Sequence, residues 1–152
     1  MKKNKQGFTL IELLVVIAII GLLSTLSIVA LNQARARSRD ARRVADVKQI
    51  QTALEMYYND YNQYPADTVV TPGARIASGT NVYMDIVPKP PMPADGSGCV
   101  GAVAYTYNVQ LLNGINNSSY TLKYCLGSAT GGIIAGQNIA TPSGIAQTGQ
   151  IQ

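Results

Sequence analysis

Residues 8–31 form one uninterrupted apolar block, FTLIELLVVIAIIGLLSTLSIVAL, with a single charge at Glu12. About 20 helical residues cross a bilayer's hydrocarbon core, so these 24 suffice. A cleavable secretory signal fits poorly, because its cleavage site follows the apolar run among small residues. Here the small residue, Gly7, precedes the run, after the short basic stretch MKKNKQ. Glu12 is the exception that needs a partner. An acid at the centre of a membrane helix costs on the order of 3 kcal/mol. Five residues into the block it can reach towards the interface, and an ammonium is the natural counter-charge.

The stretch Gly7-Phe8-Thr9-Leu10-Ile11-Glu12 resembles the cleavage and assembly motif of type IV pilins and of the pseudopilins of type II secretion. The resemblance implies cleavage between Gly7 and Phe8 by a membrane aspartic peptidase, N-methylation of Phe8, and Glu12 as the assembly acid. It couples a basic leader, a Gly-Phe junction, an offset acid and a long apolar helix, so it is more specific than an anchor alone. Elementary electrostatics fits those roles. Cleavage frees an ammonium on Phe8, and a neighbouring subunit shifted along a filament axis brings its ammonium to this carboxylate. Two charges otherwise stranded in apolar surroundings then neutralise each other.

The net charge of +4 is local rather than general. Lys2, Lys3 and Lys5 precede the block, and Arg35, Arg37, Arg39, Arg42 and Arg43 follow it closely. Counting cations alone places the Arg side in the cytoplasm, whereas the resemblance keeps the leader there. Asp40 and Asp46 partly offset the Arg cluster, and Arg42 and Asp46 have the spacing of an i,i+4 pair. The Arg cluster is read as a solvated or headgroup-facing band rather than a nucleic-acid surface.

Past residue 31 the apolar density falls, but three- and four-residue steps persist through Val44, Val47, Ile50 or Gln51, Leu54, Tyr57 or Tyr58, and Tyr61. Arg43, Asp46, Lys48, Gln49 and Asn59 are assigned to the opposite, wet face. The pattern predicts one helix over 8–64, on the order of 85 Å long, stopped by Pro65. Gly21 with Ser24, Thr25 and Ser27 is its weakest part and the expected place of bending or local melting. The run YYNDYNQYP at 57–65 also resembles the helix end of major pseudopilins and several pilins.

Beyond Pro65, residues 66–98 are rich in Pro, Gly, Ala and Asp, and PKPPMPADGSG at 88–98 reads as loop. Short β-prone runs follow at 103–109, 120–126 and 131–136, with a turn over 112–119. Tyr105 and Tyr107 flank Thr106 as on a half-buried strand. Residues 126–152 hold no charged side chain, and read either as a last strand with a tail or as a contact surface. Cys99 and Cys125 can form one disulfide if this half lies outside the cytoplasm; two buried thiols are the alternative. The absence of His excludes Ser-His-Asp and Cys-His catalysis and His-ligated zinc. No metal is expected, since the region matching the calcium loop of some pseudopilins lacks Asp and Glu, and Asp95 with Ser97 is the only weak substitute. No cofactor fingerprint is found.

These readings converge on an α+β, pilin-like chain. A cleaved leader at 1–7 precedes a membrane or filament-core helix at 8–31 and its amphipathic continuation at 32–64. Residues 65–152 form a head with a small antiparallel β-sheet packed on the long helix. The resemblance implies a non-enzymatic filament subunit whose partners are the prepilin peptidase, the lipid bilayer, identical subunits, and an inner-membrane assembly platform with its ATPase. It starts as a single-pass inner-membrane protein and ends in an extracellular or periplasmic filament. A surface pilus is the first expectation, a secretion pseudopilus the second and a DNA-uptake pilus the third; nucleic acid is not expected outside that last role. A single-pass sensor would require a pocket with polar site residues, which the sequence does not reveal.

Overall fold

The computed structural model describes residues 7–99, 104–112 and 115–147. The basic leader up to residue 6, the tip of the expected turn at 113–114 and the tail from 148 lie outside the described residues. The chain divides into two compact units, Met1–Arg35 and Ala36–Gln152.

Helix α1 runs Leu10–Tyr61, 52 residues. Its end comes three residues before the expected one, and Pro65 is not what stops it. Asn62 adopts a left-handed φ of 51° and its N–H donates to the Tyr58 carbonyl at 2.8 Å. This is an αL cap of the kind Gly or Asn supplies at helix C-termini. The chain then turns to the sheet, where the Tyr64 N–H donates to the Asn117 carbonyl.

In the second unit, α1 buries one stripe made by Val44, Val47, Ile50, Ala53 and Leu54. This is the stripe that the three- and four-residue steps predict. Gln51 lies at its edge, and its amide donates to the Thr141 carbonyl at 3.0 Å.

Two antiparallel sheets make up the rest. Strands β1 (Ile76–Ser78) and β2 (Asn81–Met84) form a hairpin in a stretch whose composition suggested no strand. The Pro, Gly and Asp around it mask two very short strands, and Gly79 at φ 58° makes their turn. The second sheet is a meander of β3 (Thr106–Leu112), β4 (Ile115–Leu126), β5 (Gly136–Thr141) and β6 (Gly144–Gln147), in that spatial order. The expected turn at 112–119 is therefore largely strand, since β4 already begins at Ile115. The expected strand at 131–136 is instead a turn. Gly131 and Gly132 both have positive φ, and Thr130 bridges Ile133.

Tyr105 and Tyr107 are buried while Thr106 is exposed, as their alternation predicts. Tyrosines build much of the core. The Tyr120 ring lies 4.8 Å from Tyr64 and 5.7 Å from Tyr107, within the range of favourable aromatic pairs. The Tyr107 hydroxyl donates to the Pro65 carbonyl, so the polar tip of a buried ring is satisfied by the segment leaving the helix.

Candidate assembly site and the clasp beneath the head

In the first unit the large apolar side chains from Phe8 to Leu31 are all exposed, Phe8 itself at 85%. Helix α1 is long and apolar enough to cross a membrane. Phe8 lies just ahead of the helix, two residues before Leu10. Glu12 sits in the first turn.

Thr9 and Glu12 form a reciprocal cap. The Thr9 N–H and hydroxyl donate to Glu12 Oε2 at 2.8 and 2.7 Å, and the Glu12 N–H donates to Thr9 Oγ1 at 3.3 Å. This capping box satisfies helix-end donors that otherwise lack partners. It gives Glu12 a second role besides that implied by the resemblance, and the Thr-x-x-Glu spacing that signals it was legible at 9–12. The carboxylate also lies at the positive end of the helix dipole. The geometry thus holds an acid against Thr9, at the helix end nearest the expected cleavage point.

Farther along, the hydroxyls of Ser24, Thr25 and Ser27 donate to the carbonyls of Ile20, Leu22 and Leu23. Such back-bonding satisfies polar groups that lipid cannot, while weakening the helix locally.

The second unit holds a buried ionic clasp where solvated charges were expected. Asp40, Arg43 and Asp46 are buried, at 0%, 3% and 7% exposure. Arg43 and Asp46 therefore do not belong to the wet face. Arg43 donates to Asp40 at 2.7 Å, to Asp95 at 3.2 Å, and to the carbonyls of Pro91 and Pro93 at 2.7 Å each. Arg39 grips Asp95 through two parallel bonds of 2.7 and 2.6 Å, the bidentate geometry that makes Arg–carboxylate pairs strong. Asp40 also accepts from the N–H groups of Gly127 and Ser128 and from the Ser128 hydroxyl. One turn of α1 thereby ties down both the loop at 88–99 and the connection after β4.

Asp95, the weak metal candidate, is committed to these guanidiniums. Its bond to Arg39, against a smaller opposing effect of burial, holds its carboxyl below the usual range. Asp46 accepts from the Tyr105 hydroxyl at 2.9 Å, so its contact is Tyr105 rather than the salt bridge to Arg42 that the spacing suggested. Burial pushes its carboxyl up. Glycine shape permits the clasp. A Cβ on Gly127 would stand 2.5 Å from the Asp95 side chain, and one on Gly96 would stand 2.8 Å from Gly127.

The disulfide closes the same corner. Cys99 ends a 3-10 turn at Ser97–Cys99, and its sulfur is bonded to that of Cys125 in β4. Of the two readings left open by the sequence, this is the disulfide. Arg35, Arg37 and Arg42 remain exposed, so the solvated band consists of these three.

The described residues thus combine a helix long and apolar enough to cross a membrane, an acid in its first turn, and a small disulfide-closed sheet domain. The prokaryotic N-terminal methylation motif matches residues 2–28. The chain is 38% identical over 64 residues to a type II secretion system core protein G of Aeromonas hydrophila, covering 42% of this chain and 45% of that one. It is 34% identical over 87 residues to a fimbrial protein of Eikenella corrodens, 57% of each chain. It is 44% identical over 55 residues to a type IV major fimbrial protein of Dichelobacter nodosus, 36% of this chain and 35% of the relative. The chain spans between about a third and somewhat over half of the length of these relatives. No solved structure matches it. Motif, fold and relatives together support a place for the chain in the type IV pilin and pseudopilin family.

Proposed function

We propose that this protein is the structural subunit of a type IV pilus-like filament, inserted in the membrane as a precursor, trimmed after Gly7, methylated on Phe8 and polymerised through α1. The observation that carries this reading is the lone carboxylate of Glu12, set at the first turn of a helix whose large apolar side chains are exposed as far as Leu31. In lipid or in a filament core it requires a positive partner. Cleavage ahead of Phe8 generates one, and a staggered neighbour can deliver it. The pairing gives stacked helices a register and lets a subunit leave the bilayer without an uncompensated charge.

In this reading the chain is a substrate of the prepilin peptidase rather than an enzyme. The peptidase, an inner-membrane platform with its ATPase, the bilayer and identical subunits are its partners. The leader faces the cytoplasm and the sheet domain the opposite side, an oxidising compartment suited to the Cys99–Cys125 bond. A pseudopilus of type II secretion is the second reading, favoured by the core protein G relatives.

Intact mass of the protein from cells tests the processing. Loss of residues 1–7 and gain of one methyl group on Phe8 is expected. An intact leader in a strain with an active prepilin peptidase contradicts the reading. Electron microscopy of sheared surface fractions separates the two filaments, because long surface fibres accompany a pilus.

A further inference from the structure

A cleft of about 580 Å³ lies between the last turns of α1 and the β1–β2 hairpin. It is open to solvent, and of its lining residues only Tyr83 is partly buried. Met56, Val82 and Tyr83 supply its apolar surface, with Met56 and Val82 exposed at 44% and 51%. The polar rim comes from both sides: Asn59 and Asp60 on the helix, Thr80 and Asn81 on the hairpin.

The Tyr83 ring is held from behind. Tyr57 meets it edge-on at 5.3 Å and Tyr61 at 6.4 Å, and those two rings lie 4.8 Å apart. Its hydroxyl donates to Asp60 Oδ2 at 2.5 Å and accepts from the Asn81 amide at 3.5 Å. The bond to Asp60 pushes this phenol up to about 12, so it stays a donor throughout the physiological range. Helix and hairpin are thus joined by a polar chain running Asn81 to Tyr83 to Asp60 across the cleft.

The mixture of groups discriminates between ligand classes. A cation uses acceptors only, and would leave the amide and hydroxyl donors of Asn59, Asn81 and Thr80 idle. A purely apolar guest would strip water from all four rim residues without replacing their hydrogen bonds. A neutral sugar has hydroxyls that both donate and accept, and a C–H face that can lie against Tyr83, Met56 and Val82. We infer that this cleft is a binding site for a neutral saccharide of one or two rings, with Tyr83 as the platform and Asp60, Asn59 and Asn81 as hydroxyl partners. The site lies wholly within the second unit, and it does not depend on how the N-terminal helix is processed or assembled. It supplies the pocket and polar residues that the sequence alone does not reveal.

The test uses the full-length chain in a polyoxyethylene detergent, which carries no sugar head group. Saturation-transfer NMR is run with maltose, cellobiose, lactose and N,N′-diacetylchitobiose, and with choline chloride as the cationic probe. Saturable binding of at least one sugar is expected, weakened about tenfold or more both in Asp60→Ala, which is exposed, and in Tyr83→Ala. Thermal unfolding checks that each variant is folded, and Asn59→Ala replaces any that is not. Binding of none of the sugars, binding that survives these substitutions, or binding of choline alone overturns the inference.

Discussion

Three carboxylates with similar side chains serve three different purposes here, and their surroundings explain why. Glu12 closes a capping box at the start of α1. Glu12→Ala removes both the cap and the charge. The cap contributes about 1 kcal/mol, too little to prevent a long apolar helix from inserting. In the filament reading the variant is inserted and cleaved but not incorporated beside wild-type subunits. Immunoblots of membrane and sheared fractions check this, and filaments of unchanged yield would sink the charge-pairing idea.

Asp95 and Asp46 differ in sign. The Asp95 carboxyl is lowered by Arg39 and Arg43, so its ionised form stabilises the fold. That contribution is fully present above the unfolded value near 4, and it is lost as pH falls through the lower folded value. Asp95→Asn should cost about 2–3 kcal/mol at pH 7, with the gap to wild type closing in acid. The Asp46 carboxyl is raised, chiefly by burial, so its ionisation opposes folding above the unfolded value. Asp46→Asn keeps an acceptor for Tyr105 and is expected to be neutral or stabilising at pH 7. Thermal unfolding of the detergent-solubilised chain against pH measures both. A loss of more than about 1 kcal/mol in Asp46→Asn contradicts the assignment.

Among the elements, α1 was the most legible, because periodicity carries through 44–54 without interruption. Its end was misplaced because Asn62 looks polar rather than like a helix stop, and only its left-handed backbone reveals the cap. The wet face differs from its expected composition for another reason. Arg43, Asp40 and Asp46 look solvated one by one, and nothing local announces that Asp95, the Gly127–Ser128 amides and the Tyr105 hydroxyl come from far along the chain to satisfy them. Long-range partners of this kind are invisible to spacing rules. Gly127 reports on that corner directly. Gly127→Ala puts a methyl into the Asp95 side chain and backbone, and should cost about 2–3 kcal/mol through overpacking. Unchanged thermal stability would show that the corner can yield. The strand errors have a simpler origin. The pair Ile133-Ile134 reads as β, but the flanking glycines at positive φ make a turn.

For the whole molecule, the second unit is a small sheet on one helical stripe, with two independent fastenings at one corner. The disulfide joins residues 26 apart, which corresponds to about 3–4 kcal/mol on the chain-entropy account. The ionic clasp secures the same loop without it. Cys99→Ser combined with Cys125→Ser should lower stability by about that amount, yet leave the sheet folded near neutral pH. Far-UV circular dichroism before and after unfolding checks this, and loss of sheet signal at room temperature would show that the clasp cannot hold the corner alone.

The hydroxyls of Ser24, Thr25 and Ser27 have a mechanical consequence. Each already holds a carbonyl of the preceding turn, so those carbonyls keep a partner when a local backbone bond is lost. A pulled strand of subunits would yield first near Gly21–Ser27 and spare the apolar turns on either side. Converting seven helical residues there to extended chain adds about 12 Å per subunit. In the filament reading, such a fibre under tension lengthens by a short, reversible step before any of its sheet domains is loaded.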